Sequence, residues 1–448
     1  MKEKDLEQFG IAIPEILLPK KIDTQVWAVV ACDQYTQSRE YWAETEAIVG
    51  NAPSTLNLIL PEVYLEDSDR DERVEKIHKT MNDYLMGGLF QEKKGFIYIE
   101  RKTSEGRLRK GLVCAIDLDA YEWKPGTKAL IRATEATIPE RIPPRMKIRQ
   151  GAALESPHIM LLVNDAERLL IEGAGEKVKK SSEERSCPPL YSGKLMQNGG
   201  YITGYEVVSE ELIDYICKNL EKIAEKNTDK DGSCLLFAVG DGNHSLATAK
   251  AVWDEHKKSH PTEKDEKNNA LRYALVEIVN IYDEGLTFEP IHRVVFNVDA
   301  KRMMEFLTEK LQGSITPVES QEALEKSVAE SHADFGFAFL ENGKTACYLL
   351  HTEIKTLAVS SFQPSLDEYL KSASESDKPP TPHIDYIHGS DEIFRLANKE
   401  NATGVLMPPI AKERFFETIR KGGSLPRKSF SMGEANEKRF YMECRKLG

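Results

Sequence analysis

The sequence predicts a mixed α/β fold, and three observations predict it. Apolar runs of strand length alternate with amphipathic segments of helix length along the chain. Hydrophobic residues make up 40% and charged residues 30% of the composition, the balance of an ordinary globular protein. No internal repeat sets a solenoid period. At 448 residues the chain is too long for one simple core and fits two lobes, or one large domain with additions.

Taken in order, "IAIPEILLP" and "VWAVVACDQY" read as short extended segments, followed by an amphipathic helix from about Ser68 to Met86, stopped at Gly87 and Gly88. "KGFIYIERKT" and "LRKGLVCAIDLD" alternate as two strands joined at "SEG", most simply a hairpin. The stretch from Ile131 to Val163 begins irregularly, carries basic residues and prolines, and ends in the buried-looking run "HIMLLV". Helices are expected at Asp165 to Ile171 and Ser209 to Glu225. "SCLLFAV" then reads as a buried strand and "SLATAKAVWDEHKK" as a helix with Leu246, Ala249 and Trp253 on one face. After the charged surface connection "SHPTEKDEKNN", "YALVEIVNI" and "IHRVVFNV" read as strands, although periodicity alone does not separate the former from a buried helix. Asp299 is placed to cap a helix, a second helix starts from Ser320, and "FGFAFLENGKTACYLL" is a hairpin turning at Asn342 and Gly343. These elements divide into a core over residues 1–300 and a C-terminal α/β portion over 301–448 packed on it, with a linker candidate near 371–382.

The formal net charge of -13 argues against a nucleic-acid coat, whose affinity comes from neutralising phosphates with Lys and Arg. The amino terminus lacks the apolar core of a signal peptide, and no stretch approaches the roughly 18 apolar residues of a membrane span, so a cytoplasmic protein without membrane partners is expected. Seven scattered cysteines without a C-x-x-C pair argue against a disulfide framework or a structural zinc site.

The segment "AVGDGNHSLATAK" carries the chemistry. A strand delivering a glycine turn to a helix start gathers unpaired backbone N–H groups and the positive end of the helix dipole at one spot, suited to an anion and most often phosphate. Gly240 and Gly242 would shape the loop, Asn243, His244 and Ser245 could donate hydrogen bonds, and Asp241 would face the same site as a magnesium ligand or proton-handling group. A tight turn with His244 as a cap accounts for the spacing equally well, and the loop matches neither the Walker pattern nor G-x-G-x-x-G.

A second constellation, "IRATEATIPERIPPRMKIRQGA", sets Arg132, Arg141, Arg145, Lys147 and Arg149 around Glu135 and Glu140. Such a run is commonly a solvated face. Here the arginines could bind a polyanion bidentately beside a carboxylate, as phosphoryl transfer requires. In "ACDQYTQ", Asp33 and Gln34 could hold the amino or carboxylate group of a small substrate, although a polar strand end reads as well. Cys32 is a poor nucleophile candidate. His292 and Arg293 of "PIHR" read by themselves as a structural pair at a strand end, and His383 and His388 as structural loop residues.

These residues resemble a known group. "VGDGNHSLATAK" is similar to the D-G-H-H-R-x-x-A-A element of the ParB/sulfiredoxin-like superfamily, and the chain resembles the bacterial family catalogued as domain of unknown function 1015. "TEAT" (Thr134 to Thr137) stands where that family has a "HERT"-like motif. "SPHIMLLVND", "GLTFEPIHRVVFN" and "GGSLPRKSFS" resemble its further segments. The resemblance implies a ParB/sulfiredoxin-like phosphate-binding core with added N- and C-terminal elements, and an activity like that of the free L-serine kinases, which take phosphate from ATP, ADP or pyrophosphate. By motif position, Glu135 is then the general base, and Asp241 and His244 flank the transferred group, with Mg2+ at Asp241. Gly240, Gly242, Asn243, Ser245, Arg141, Arg145, Lys147, His292 and Arg293 would hold the donor, and Asp33, Gln34 and Arg132 the amino-acid acceptor. Two positions depart from the pattern: Thr134 replaces the histidine of "HE", and Ser245 replaces the arginine of "HHR". Arg141, Arg145 or the Arg427 and Lys428 pair could restore the lost charge. A nucleotide-binding switch responding to CTP or ATP, without kinase activity, is the competing reading, whereas a sulfiredoxin-type redox role lacks its cysteine in "GDGNHS".

Overall fold

The computed structural model describes residues 2–260, 269–376 and 380–448. The chain forms two compact units, Met1–Leu286 with Gly433–Gly448, and Thr287–Met432. Both are mixed α/β, the class the sequence predicts.

The larger unit is built on a ten-stranded mixed sheet. Its strands are β1 (Ile11–Ala12), β2 (Phe96–Lys102), β3 (Leu108–Asp117), β4 (Tyr121–Glu122), β5 (Ile131–Ala133), β6 (Met160–Val163), β7 (Tyr191–Lys194), β8 (Tyr201–Val207), β9 (Phe237–Asp241) and β10 (Tyr273–Asn280). They lie in the order β7-β8-β2-β3-β10-β6-β9-β5-β4, with β1 added on β3. β2 and β3 form the expected antiparallel hairpin. β9 runs parallel to β5 and antiparallel to β6.

Alternation along these strands feeds two cores, because successive side chains point to opposite faces. Phe96, Tyr98, Leu112, Cys114 and Ile116 face one cluster, which includes residues of the helices α3 (Ile171–Glu184), α4 (Glu210–Asn227) and α5 (Asn243–Ser259). Ile97, Ile99 and Val113 face the other, with Trp27, Trp42, residues of α1 (Arg70–Met86) and the returning C-terminal residues Phe440, Tyr441, Met442 and Cys444. A sheet covered on both faces explains why its strands read as nearly continuous apolar runs.

The smaller unit carries a six-stranded antiparallel sheet of β11 (His292–Phe296), β12 (Ser314–Val318), β13 (Phe335–Glu341), β14 (Lys344–His351), β15 (His383–Ile387) and β16 (Ala402–Leu406), in the order β12-β14-β13-β16-β11-β15. Asp299 and Ser320 cap their helices as expected. The β13–β14 turn takes positive φ at both Asn342 and Gly343, which suits the right-handed twist of a two-residue hairpin.

Some elements differ from expectation. "VWAVVACDQY" is not a strand: Thr24–Trp27 is a short helix, and the following chain touches a strand-like partner at a single bridge, Val30 to Phe440. The helix expected over Asp165 to Ile171 instead begins at Ile171, because Asp165 Oδ2 accepts the Leu170 N–H and Arg168 takes positive φ, closing a turn there. The irregular basic stretch contains α2 (Ile142–Arg149), with Pro143 and Pro144 in the first turn, where missing N–H groups cost nothing. Of the linker candidate, residues 371–376 end the helix Ala358–Ser376 and 377–379 lie outside the described residues. Residues 261–268 of the charged connection also lie outside them. Among the described residues, no helix is long and apolar enough to cross a membrane.

Candidate active site

β9 reaches the loop through an irregularity: its register against β6 shifts between Val239 and Asp241, so Gly240 sits at the bulge. Gly242 then takes φ 80 and ψ 28 and caps α5. A Cβ there would stand 3.0 Å from Ile159 Cγ1 and 3.1 Å from Ile159 Cα, so both the left-handed backbone and the close approach require glycine. The first helical bond runs from Leu246 N to Gly242 O at 3.0 Å, so the N–H groups of Asn243, His244 and Ser245 precede the ladder.

The "TEAT" segment is fastened to this helix start. Thr134 N donates to Asn243 Oδ1 at 3.2 Å, and Thr134 Oγ1 donates to Val239 O at 2.6 Å. Ile138 N donates to His244 Nε2 at 3.3 Å. Glu135, half-buried, therefore lies in a stretch held at both ends by the first two residues of α5. The threonine that replaces the imidazole of "HE" holds β5 to β9 through its hydroxyl, which gives that departure a structural use.

On the other side of the loop the chain's two ends converge. Ser245 Oγ and His158 Nε2 lie 3.1 Å apart, and His158 Nδ1 lies 2.7 Å from the Tyr441 hydroxyl, which also accepts the Cys32 N–H at 3.1 Å. Asp33 Oδ2 is 3.6 Å from His158 Nε2, and Gln34 Nε2 donates to Asp33 Oδ1 at 3.0 Å. Burial pushes the Asp33 carboxyl up, but His158, the Gln34 hydrogen bond and Lys438 outweigh it and hold the carboxyl below its usual value. Burial pushes the Cys32 thiol far up, with Asp33 and Glu62 adding to it, so this cysteine is not a nucleophile. Lys438 Nζ reaches to 3.5 Å from Asp241 Oδ2.

The remaining predicted residues are placed as follows. Arg145 forms an ion pair with Glu62, whose backbone N–H donates to Cys32 O. Arg141 and Lys147 are exposed, on the turn before α2 and on α2 itself, and α2 packs on α5. Arg149 pairs with Glu155 at 2.6 Å. Arg132 is buried on β5, its Nε donating to Ala129 O at 2.8 Å, a structural setting for a residue expected to bind substrate. His292, Arg293, Arg427 and Lys428 belong to the smaller unit. There Arg293 is buried and donates to Gln363 Oε1 and Lys428 O, and His292 Nδ1 accepts the Met407 N–H at 3.0 Å. Burial, with Arg293 and His388 adding, pushes His292 down to about 4, so it is a neutral strand residue at neutral pH. His383 stacks on Phe296.

Sequence reasoning missed His158, Lys438 and Tyr441. "SPHIM" placed His158 beside a buried strand, a weak signal, whereas nothing local marks the C-terminal pair. For magnesium, no group of three or more His, Cys, Asp or Glu among the described residues could hold a metal ion. Asp241 Oδ2 is nevertheless buried without a hydrogen-bond partner, which fits the mode in which Mg2+ takes one or two protein carboxylates and completes its shell with phosphate oxygens and water.

Fold and loop together define a two-unit mixed α/β protein whose larger sheet ends, through a glycine turn, at a helix N-terminus. The chain belongs to the family described as protein of unknown function (DUF1015), whose model matches residues 16–369. No curated protein matches it. Solved structures similar to it include a free serine kinase in complex with AMP, 11% identical, covering 75% of this chain and 92% of that chain with a TM-score of 0.35. A mutant free serine kinase in complex with ADP is 11% identical, covering 78% and 95% with a TM-score of 0.36. SbnI with a C-terminal truncation from Staphylococcus aureus is 12% identical, covering 72% and 82% with a TM-score of 0.33.

Proposed function

We propose that this chain is a phosphotransferase that moves a phosphoryl group from pyrophosphate or a nucleotide to the hydroxyl of a small alcohol, free L-serine being the acceptor that the motif resemblance implies. The observation that carries the reading is the pair of hydrogen bonds from Thr134 and Ile138 to Asn243 and His244, which keeps Glu135 beside the N-terminus of α5. Phosphoryl transfer needs a carboxylate near the hydroxyl and N–H or cationic cover on the phosphates, held in place before reaction. In this reading Glu135 takes the acceptor proton, a new P–O bond forms, and the bridging P–O bond of the donor breaks to release orthophosphate, ADP or AMP, according to the donor. The N–H groups at the start of α5 face the donor phosphates, and His244, whose Nε2 accepts the Ile138 N–H, is a neutral neighbour of the transferred group. Asp241 would hold Mg2+, which when bound neutralises charge on the phosphates. Asp33, kept ionised, is the group suited to an acceptor's ammonium.

The test separates binding from transfer. Glu135→Gln should retain donor binding, read as a ligand-dependent rise in melting temperature, while losing transfer by about 100-fold or more, the usual scale of a positioned base. A Glu135→Gln protein that transfers phosphate at the wild-type rate contradicts the reading.

A further inference from the structure

The loop Gly240–Ser245 contains no lysine or arginine, although a bound polyphosphate needs cationic cover. Of the arginines and lysine expected to supply it, Arg145 is paired with Glu62 and Arg149 with Glu155, while Arg141 and Lys147 are exposed. Among the described residues, a cation that reaches the loop is Lys438, whose Nζ lies 3.5 Å from Asp241 Oδ2.

Three features of Lys438 point to a ligand. It is only 8% exposed, and its ammonium sits between two carboxylates of the site, 3.5 Å from Asp241 Oδ2 and near enough to Asp33 to hold that carboxyl down. The Asp241 Oδ2 it approaches is itself buried without a hydrogen-bond partner. Its backbone is fixed on both sides. Lys438 O accepts from Arg101 at 3.0 Å, Glu437 is paired with Arg107 and its carbonyl accepts from Arg109 at 2.8 Å, and Arg439 is clasped by Glu277 at 2.8 Å and Glu443 at 2.7 Å. These bonds hold the backbone of Lys438 in place beside the helix start.

We infer that Lys438 is a donor-binding residue, its ammonium taking the phosphate oxygens of a pyrophosphate or nucleoside polyphosphate at the N-terminus of α5. The inference rests on the phosphotransferase reading. Its test titrates inorganic pyrophosphate and ATP calorimetrically into the wild type, Lys438→Gln and Lys438→Arg. Charge-assisted hydrogen bonds to phosphate contribute enough that Lys438→Gln should weaken both ligands about tenfold or more, with Lys438→Arg retaining most of the affinity. If wild type binds and Lys438→Gln binds equally well, or if both variants lose binding alike, the inference falls and the reading stands. If wild type binds neither compound, both fall. Should Lys438→Gln fail to fold, wild-type protein serves instead: reductive methylation of Lys438, read by peptide mass spectrometry, should slow in the presence of pyrophosphate, and an unchanged rate overturns the inference.

Discussion

Tyr441 shows how much one hydroxyl can organise: it meets His158 Nδ1 and the Cys32 N–H, and through His158 it orients the ring that meets Ser245. Removing it by Tyr441→Phe leaves buried groups unpaired, and a loss of about 1–3 kcal/mol in chemical denaturation is expected. At the same scale, His292 gives a pH signature. Its folded value of about 4 lies below its ordinary 6.5, so between these values the unfolded chain binds a proton that the folded chain refuses. Stability should therefore fall as pH drops from 6.5 towards 4, by roughly 3 kcal/mol in the limit, and His292→Gln should flatten that limb in pH-dependent melting. Loop residues were legible because their chemistry is local: "GDGNHS" follows an apolar run and precedes a helical period. Lys438 and Tyr441 were not, since their partners are set by a chain return of about 200 residues or more, which no short pattern announces.

At the scale of elements, the glycine turn is the part the sequence specified most tightly. Gly242→Ala must place a side chain at φ 80 against Ile159, and a loss of about 1–2 kcal/mol, with weaker donor binding, is the expected result in melting and titration experiments. A variant as stable as wild type would show that the backbone is not held there. The hairpin of β2 and β3, the caps at Asp299 and Ser320 and the turn at Asn342 and Gly343 were readable because alternation, capping and turn chemistry act over a few residues. "VWAVVACDQY" misled for a physical reason: it is apolar because the C-terminal segment buries it, and burial by a distant segment looks the same in sequence as burial in a sheet.

Across the whole molecule, the chain leaves the larger unit at Leu286 and returns at Gly433. The returning segment inserts Arg439 between Glu277 and Glu443, and Arg445 against Glu155, all of them buried. Breaking a buried pair strands its partner's charge, so Arg439→Met should destabilise the larger unit by about 3–5 kcal/mol in denaturant titration. The segment thus joins the architecture to the proposed chemistry: it closes the second core through Phe440 and Met442 and brings Lys438 to the loop.

The central claim, transfer of phosphate to a small alcohol at the start of α5, is tested most directly by phosphorus NMR of the purified protein with Mg2+, L-serine and, in turn, pyrophosphate, ATP and ADP. The account predicts a phosphomonoester resonance of O-phosphoserine that grows as one donor is consumed and is absent with Glu135→Gln. Donors left intact in every mixture, or consumed only to orthophosphate, would contradict it.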